Sequence, residues 1–224
     1  MGNVKLVAMT KPMIEGVDTP EQFIAYCARV SNPSNQLNNE TAEKLLTYCV
    51  KNKHWSIFET VNIVLEIQTT RDIGRQILRH RSFSFQEFSQ RYAAVVNFSE
   101  SREARLQDTK NRQNSVETND EEIQNDWKGL QDAVKFNVES VYKWALEHGI
   151  AKEQARVVLP EGLTMSHMYM SGSLRSWITY IAMREKNGTQ KEHREIALEC
   201  KRLLSYEFPS VSQALSNELG EWIV

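Results

Sequence analysis

The sequence predicts a protein of mixed helices and strands, and three observations carry that prediction. Residues 61–70 alternate Val61, Ile63, Leu65, Ile67 and Thr69 with Asn62, Glu66, Gln68 and Thr70, the period-two pattern of a half-buried strand. From about Asp120, Trp127, Leu130, Val134, Val138, Val141 and Ala145 form one long helical stripe that closes at Gly149. The nine glycines are scattered, so no glycine-rich dinucleotide turn of a doubly wound fold is present.

The 224 residues suit a single domain spanning 1–224, with 41% hydrophobic and 25% charged side chains, as in an ordinary soluble protein. A net charge of -2 argues against a nucleic-acid partner, which favours a broad basic face, but leaves small anionic ligands open. No apolar run approaches a membrane span. The first twelve residues lack the pattern of a signal peptide, so a cytoplasmic location is expected. Cys27, Cys49 and Cys200 are odd in number, widely spaced and set among helical apolar residues; they read as buried small hydrophobes, with neither a disulfide framework nor a metal site indicated.

In chain order, residues 4–9 read as a first strand. Pro20 opens a helix through Phe23, Ile24, Cys27 and Val30 with Thr19 as its cap, and a second helix runs over about 40–52 through Ala42, Leu45, Leu46 and Cys49. His54-Trp55-Ser56-Ile57-Phe58-Glu59 leads into the clear strand at 61–70. After Tyr92, residues 93–98 continue as strand. Residues 99–122 are dense in charged and amide side chains, and read as a mobile excursion without a core of its own, an inert loop or a lid. Beyond the long helix, Pro160 stops a short helix that places Arg156 near its carboxyl end. Residues 163–170 read as a strand. Gly172-Ser173 starts a helix with Leu174, Trp177, Ile178 and Ile181 on its apolar stripe, and Arg184 continues that stripe, where an unpaired guanidinium is costly; a ligand or a buried acid is its expected partner. Thr189 and Glu192 form a capping box for a last helix through Ile196, Cys200, Leu203, Leu204 and Phe208, ending before Pro209, with a tail through Trp222 packed on it.

Most of the local chemistry lies in residues 71–92, RDIGRQILRHRSFSFQEFSQRY, where five arginines gather in an otherwise slightly acidic chain. Ile73, Ile77 and Leu78 recur at helical spacing, so residues 71–80 read as a helix entered from Thr69-Thr70, with Arg75, Gln76 and Arg79 on one face. If 82–92 is extended, Phe83, Phe85, Glu87, Ser89 and Arg91 point one way. A carboxylate, a hydroxyl and a guanidinium at that spacing suit a phosphorylated ligand. The plainer alternative is a surface helix whose arginines pair with acids elsewhere.

The run Arg79-His80-Arg81, followed after seven residues by Ser89 and then Arg91-Tyr92, closely resembles the motif of the flavin-dependent thymidylate synthases. Ala155-Arg156 with Leu159-Pro160, and Arg184 farther on, resemble further family positions in the correct order. The resemblance implies an α+β fold, an antiparallel sheet with flanking helices and a long helical segment, and a homotetramer whose sites combine several subunits. It implies conversion of dUMP to dTMP with 5,10-methylenetetrahydrofolate as carbon donor, FAD as hydride carrier and NADPH as reductant. Arg184 would polarise the pyrimidine as the catalytic residue. Gln76, Arg79, Glu87, Ser89, Arg91, Arg156 and Arg184 would contact the nucleotide. Ser31, His54, Ser56, Glu59, Arg79, His80, Arg81, Ser84, Glu87, Ser173 and Thr179 would contact the flavin. The chain departs from many members at Gln86, Ser173 and Thr179, where asparagines are common. The competing reading is a non-catalytic nucleotide- and flavin-binding protein that retains the basic pocket.

Overall fold

The computed structural model describes residues 2–95 and 97–220. Strand β1 (Asn3–Met9) is followed by helices α1 (Pro20–Ala28) and α2 (Ala42–Lys51), then by β2 (Asn62–Thr70), α3 (Arg71–Ile77) and β3 (Ser84–Glu87). A small hairpin, β4 (Arg105–Gln107) and β5 (Ser115–Glu117), precedes the long helix α4 (Glu121–Glu147) and the one-turn α5 (Lys152–Ala155). Strand β6 (Met165–Ser173) and helices α6 (Leu174–Arg184), α7 (Lys191–Glu207) and α8 (Pro209–Leu219) complete the fold.

Four strands pair antiparallel in the order β1-β2-β6-β3, so the centre of the sheet is built from segments a hundred residues apart. Leu65 of β2 and Phe85 of β3 both register on Met170 of β6. The alternation of β2 has a direct physical outcome: Ile63, Leu65 and Ile67 are fully buried, and Met168 and Met170 of β6 join them in the same core. Trp177, Tyr180 and Ile181 of α6 and Ile196, Cys200 and Leu204 of α7 complete that core. The indole of Trp177 also donates to the carbonyl of Ile63 at 3.3 Å, which satisfies a polar atom that would be costly to bury unpaired.

Helix ends follow local chemistry. Thr19 caps α1 in a full capping box with Gln22, and Gly149, at φ +76°, terminates α4 as expected. The capping box expected at Thr189–Glu192 does not form. Gln190 is the N-cap of α7 without a side-chain cap bond, because the Glu192 carboxylate is taken by Gln190 and by Arg105. Pro209 does not end the helical chain; it opens α8, whose first turn is held by the Glu21 carboxylate through Ser210 Oγ and the Val211 N–H, both at 2.9 Å. The tail expected beyond α8 at Trp222 lies outside the described residues.

Residues 82–92 are extended only over β3. The Tyr92 and Ala93 amides both return to the Ser89 carbonyl at 3.1 Å, so the chain turns there and Ser89 and Arg91 do not continue the Phe85–Glu87 face. Among the described residues of 93–98, Phe98 bridges to Thr164 and no strand forms. Within 99–122 the chain forms the β4–β5 hairpin, and Arg102 docks that segment by a two-pronged bond to Asp72 (2.8 Å to each carboxylate oxygen) and a bond to Thr70 (2.6 Å).

Candidate active site

The tight turn after α3 carries the Arg79-His80-Arg81 run. Helix α3 stops at Ile77, shorter than the sequence pattern suggests; the His80 amide bonds back to Ile77, and the Phe83 amide to His80. Gly172 makes this turn possible, since a Cβ there would stand 2.5 Å from the Phe83 ring. Arg79 and Arg81 are exposed and form no ion pair among the described residues.

His80 points the other way. Its ring packs edge-on against Tyr180 at 4.8 Å, and its Nε2 accepts a hydrogen bond from Nε of Arg184 at 2.9 Å. Burial, together with the Arg184 and Arg79 cations, pulls the His80 pKa down to about 4, so the imidazole is neutral and can accept. Within the chain the partner of Arg184 is therefore this histidine, 104 residues away, rather than a buried acid, the other partner anticipated from its place on the stripe being a ligand. A neutral acceptor steers the guanidinium without cancelling its charge, and leaves its terminal nitrogens for a ligand.

Gln76 reaches inward from α3 to α7, with Nε2 donating to Gln190 at 2.8 Å and Oε1 3.2 Å from Nδ1 of His193. His193 is wholly buried, and its Nε2 lies 3.1 Å from the Tyr180 hydroxyl. Sequence reasoning missed His193, although it lies on the same α7 stripe as Ile196, Ala197, Cys200 and Leu204, and a polar residue on a buried stripe needs a partner. Arg75 does not share the surroundings of Gln76; it pairs with Glu87 at 3.2 Å and Glu161 at 3.5 Å. Glu87 also takes Arg71 at 3.7 Å and a 2.8 Å bond from Ser166, so this carboxylate is held by two arginines that the motif reading left out.

Ser173 caps α6, with its oxygen accepting from the Ser176 amide, and it contacts the Glu59 carboxylate, which also pairs with Arg175 at 3.1 Å. Ser176 in turn bonds the Ser82 carbonyl at 3.2 Å, which joins this group to the arginine-rich turn. Thr179 spends its hydroxyl on the Arg175 carbonyl of its own helix. Ser84 is exposed on β3, as are Ser31 in its turn, His54, and Ser56 in the short 3-10 helix Trp55–Glu59, and His54 packs edge-on to Tyr48 at 5.7 Å. Arg91 meets Glu153 at 3.5 Å, which draws the Ser89–Arg91 turn toward Arg156, an exposed residue at the end of α5. No hydrogen bond or ion pair among the described residues joins that second group to Arg184. One chain therefore gathers the site residues in separate clusters.

A cavity of about 1070 Å³ lies elsewhere, between the β4–β5 hairpin, the first half of α4 and residues 187–194. Gln190 is the residue by which it adjoins the Gln76 cluster. None of the three cysteines offers a nucleophile: burial raises every thiol pKa, and Cys200 is fully buried.

A family model described as thymidylate synthase complementing protein matches residues 12–210. The chain is 53% identical over 213 residues to a probable flavin-dependent thymidylate synthase of Paramecium bursaria Chlorella virus 1, covering 95% of this chain and 98% of that protein. The chain belongs to the flavin-dependent thymidylate synthase family. Another member, from Synechocystis, is 50% identical over 216 residues, covering 95% of this chain and 99% of its own. The solved structure of the UMP/dUMP methylase PolB from Streptomyces cacaoi shares the fold, with a TM-score of 0.81 over 96% of this chain and 95% of that one at 21% identity. Among the described residues, no helix of this chain is long and apolar enough to cross a membrane.

Proposed function

We propose that this protein reductively methylates dUMP to dTMP, with 5,10-methylenetetrahydrofolate as carbon donor, FAD as hydride carrier and NADPH as reductant. The observation that carries the reading is the bond from Arg184 to the neutral His80, which brings the end of α6 to the arginine-rich turn. Relatives named for this activity across nearly their whole length support it, as does a fold neighbour described as bound with 5-Br dUMP.

Methyl transfer to C5 of uracil requires electron density at that carbon. The terminal nitrogens of Arg184, aimed by His80, would bind the ring oxygen and N3 edge and stabilise the charge that develops there, a preorganised electrostatic effect. Gln76, Arg79, Ser89, Arg91 and Arg156 would hold the nucleotide, chiefly its phosphate, with Glu87 fixing the arginines around it. The exposed, unpaired guanidinium of Arg81, beside Arg79, fits the pyrophosphate of a flavin dinucleotide. His80, Ser84 and Glu87, with Ser31, His54, Ser56, Glu59, Ser173 and Thr179, would complete that contact. FAD, when bound, supplies the hydride that reduces the transferred carbon to a methyl group. Because these residues form separate clusters in one chain, a complete site would draw on more than one subunit of a homotetramer.

The test is dTMP yield from dUMP, methylenetetrahydrofolate and NADPH under anaerobic conditions, with and without added FAD. FAD-dependent dTMP is the expected result. Flavin that is reduced but never yields dTMP, in protein shown to bind dUMP, would instead establish a binding protein that has lost its chemistry.

A further inference from the structure

Resting on the reading of Gln76 as a nucleotide contact, we propose that His193 is a positioning residue that locks the Gln76 amide with one N–H toward the ligand. The direction of the lock follows from hydrogen-bond chemistry. Glu192 is ionised and accepts only, so Gln190 turns its Nε2 toward it at 3.0 Å and presents its carbonyl oxygen to Gln76. Gln76 must therefore donate to Gln190 through Nε2, at 2.8 Å, and its Oε1 faces inward to His193 Nδ1 at 3.2 Å. An oxygen there requires a proton on Nδ1. That leaves Nε2 of the neutral imidazole to accept from the Tyr180 hydroxyl at 3.1 Å. The relay from Tyr180 through His193, Gln76 and Gln190 to Glu192 thus runs one way, tying α3, α6 and α7 together. Arg105 holds the Glu192 end in place.

The consequence is a fixed polarity at the ligand. Gln76 spends its acceptor on His193 and one N–H on Gln190, and keeps the second N–H to offer. Such an amide suits an acceptor-only group of the nucleotide, a phosphate oxygen or a ring carbonyl. A flipped amide would present Oε1 and repel the same group. His193 has no route to the ligand itself, being wholly buried, so its effect passes through Gln76.

The experiment compares the KM for dUMP and kcat in flavin-loaded Gln76→Ala, His193→Leu, His193→Asn, Tyr180→Phe and the Gln76→Ala/His193→Leu double variant. Leucine fills the volume without either hydrogen bond, whereas the asparagine amide nitrogen reproduces the Nδ1 donor. His193→Leu is expected to raise KM about tenfold with a smaller change in kcat. His193→Asn recovers most of that loss, and the double variant is no worse than Gln76→Ala alone. Tyr180→Phe, which removes only the hydroxyl that anchors Nε2 of His193, raises KM about threefold and decides the matter if His193→Leu does not fold. Unchanged KM in Tyr180→Phe and His193→Leu, or additive losses in the double variant, would overturn the proposal while leaving Gln76 a contact. An unchanged KM in Gln76→Ala would remove the reading of Gln76 itself, and the proposal with it.

Discussion

Two histidines beside Arg184 are kept neutral by the packing of α3, α6 and α7, and that state has consequences for stability as well as for the site. Burial first, then the Arg184 cation, takes His193 down to about 3, while His80 lies at about 4, both below the ordinary 6.5. Unfolded chains therefore bind protons that the fold excludes. This stabilisation is complete above pH 6.5 and is lost as the pH falls toward 4 and then 3. Denaturant titrations should show stability falling below pH 6.5, by up to about 1.4 kcal/mol per pH unit for His193, with a shallower slope in His193→Leu. An identical acid profile in that variant would contradict the assignment. Ser89 illustrates the opposite case. Its hydroxyl is engaged only by the Arg91 amide, at 3.3 Å, with no base in reach among the described residues, so Ser89→Ala is predicted to lower turnover by no more than about tenfold; complete loss with dUMP and FAD still bound would make it a nucleophile. Arg184 was legible in the sequence because a cation on an apolar stripe demands a partner. Which partner was not legible, since His80 reaches it only through the packing of α6 against the turn after α3.

At the level of elements, periodicity revealed what local burial dictates and missed what distant contacts decide. Strand β2 is plain in the sequence because one face meets the core at every second residue. Alternation through Ser89 and Arg91 imitates a strand, yet β3 lasts only while β6 offers partners, and the chain turns after Phe88 bonds to His167. The helix expected to end before Pro209 does end there, but it is not the last: Pro209 is the first residue of α8, a position that proline also suits. The polar stretch at 99–122 lacked the apolar residues that announce structure; it is organised instead by charge, above all by Arg102 on Asp72. Replacing that acid should loosen the hairpin. Asp72→Asn is predicted to cost about 1–3 kcal/mol in urea unfolding and to speed proteolysis between Arg105 and Glu117, whereas wild-type behaviour in both would mean the pairing contributes nothing.

For the whole molecule, the informative surface is α4. Its stripe, amphipathic in the sequence, is left open by its own chain: Trp127, Leu130, Val134 and Val141 are 46%, 62%, 44% and 49% exposed, while Tyr142 and Ala145 pack on Val95 and Ala155. An apolar strip of that extent suits contact between subunits, as the proposed homotetramer requires, and fits site clusters that one chain does not join. Leu130→Glu should yield a smaller species in analytical ultracentrifugation and lose dTMP formation with it; a fully active variant of unchanged mass would exclude α4 from the interface. The central claim concerns Arg184, and one measurement addresses it directly: the single-turnover rate of dTMP formation in Arg184→Ala beside the wild type, both shown to be loaded with dUMP and FAD. The account predicts a rate lower by about 10²–10³, the typical loss on removing one preorganised stabilising group. A variant that forms dTMP at the wild-type rate would show that the guanidinium held by His80 does not act on the pyrimidine.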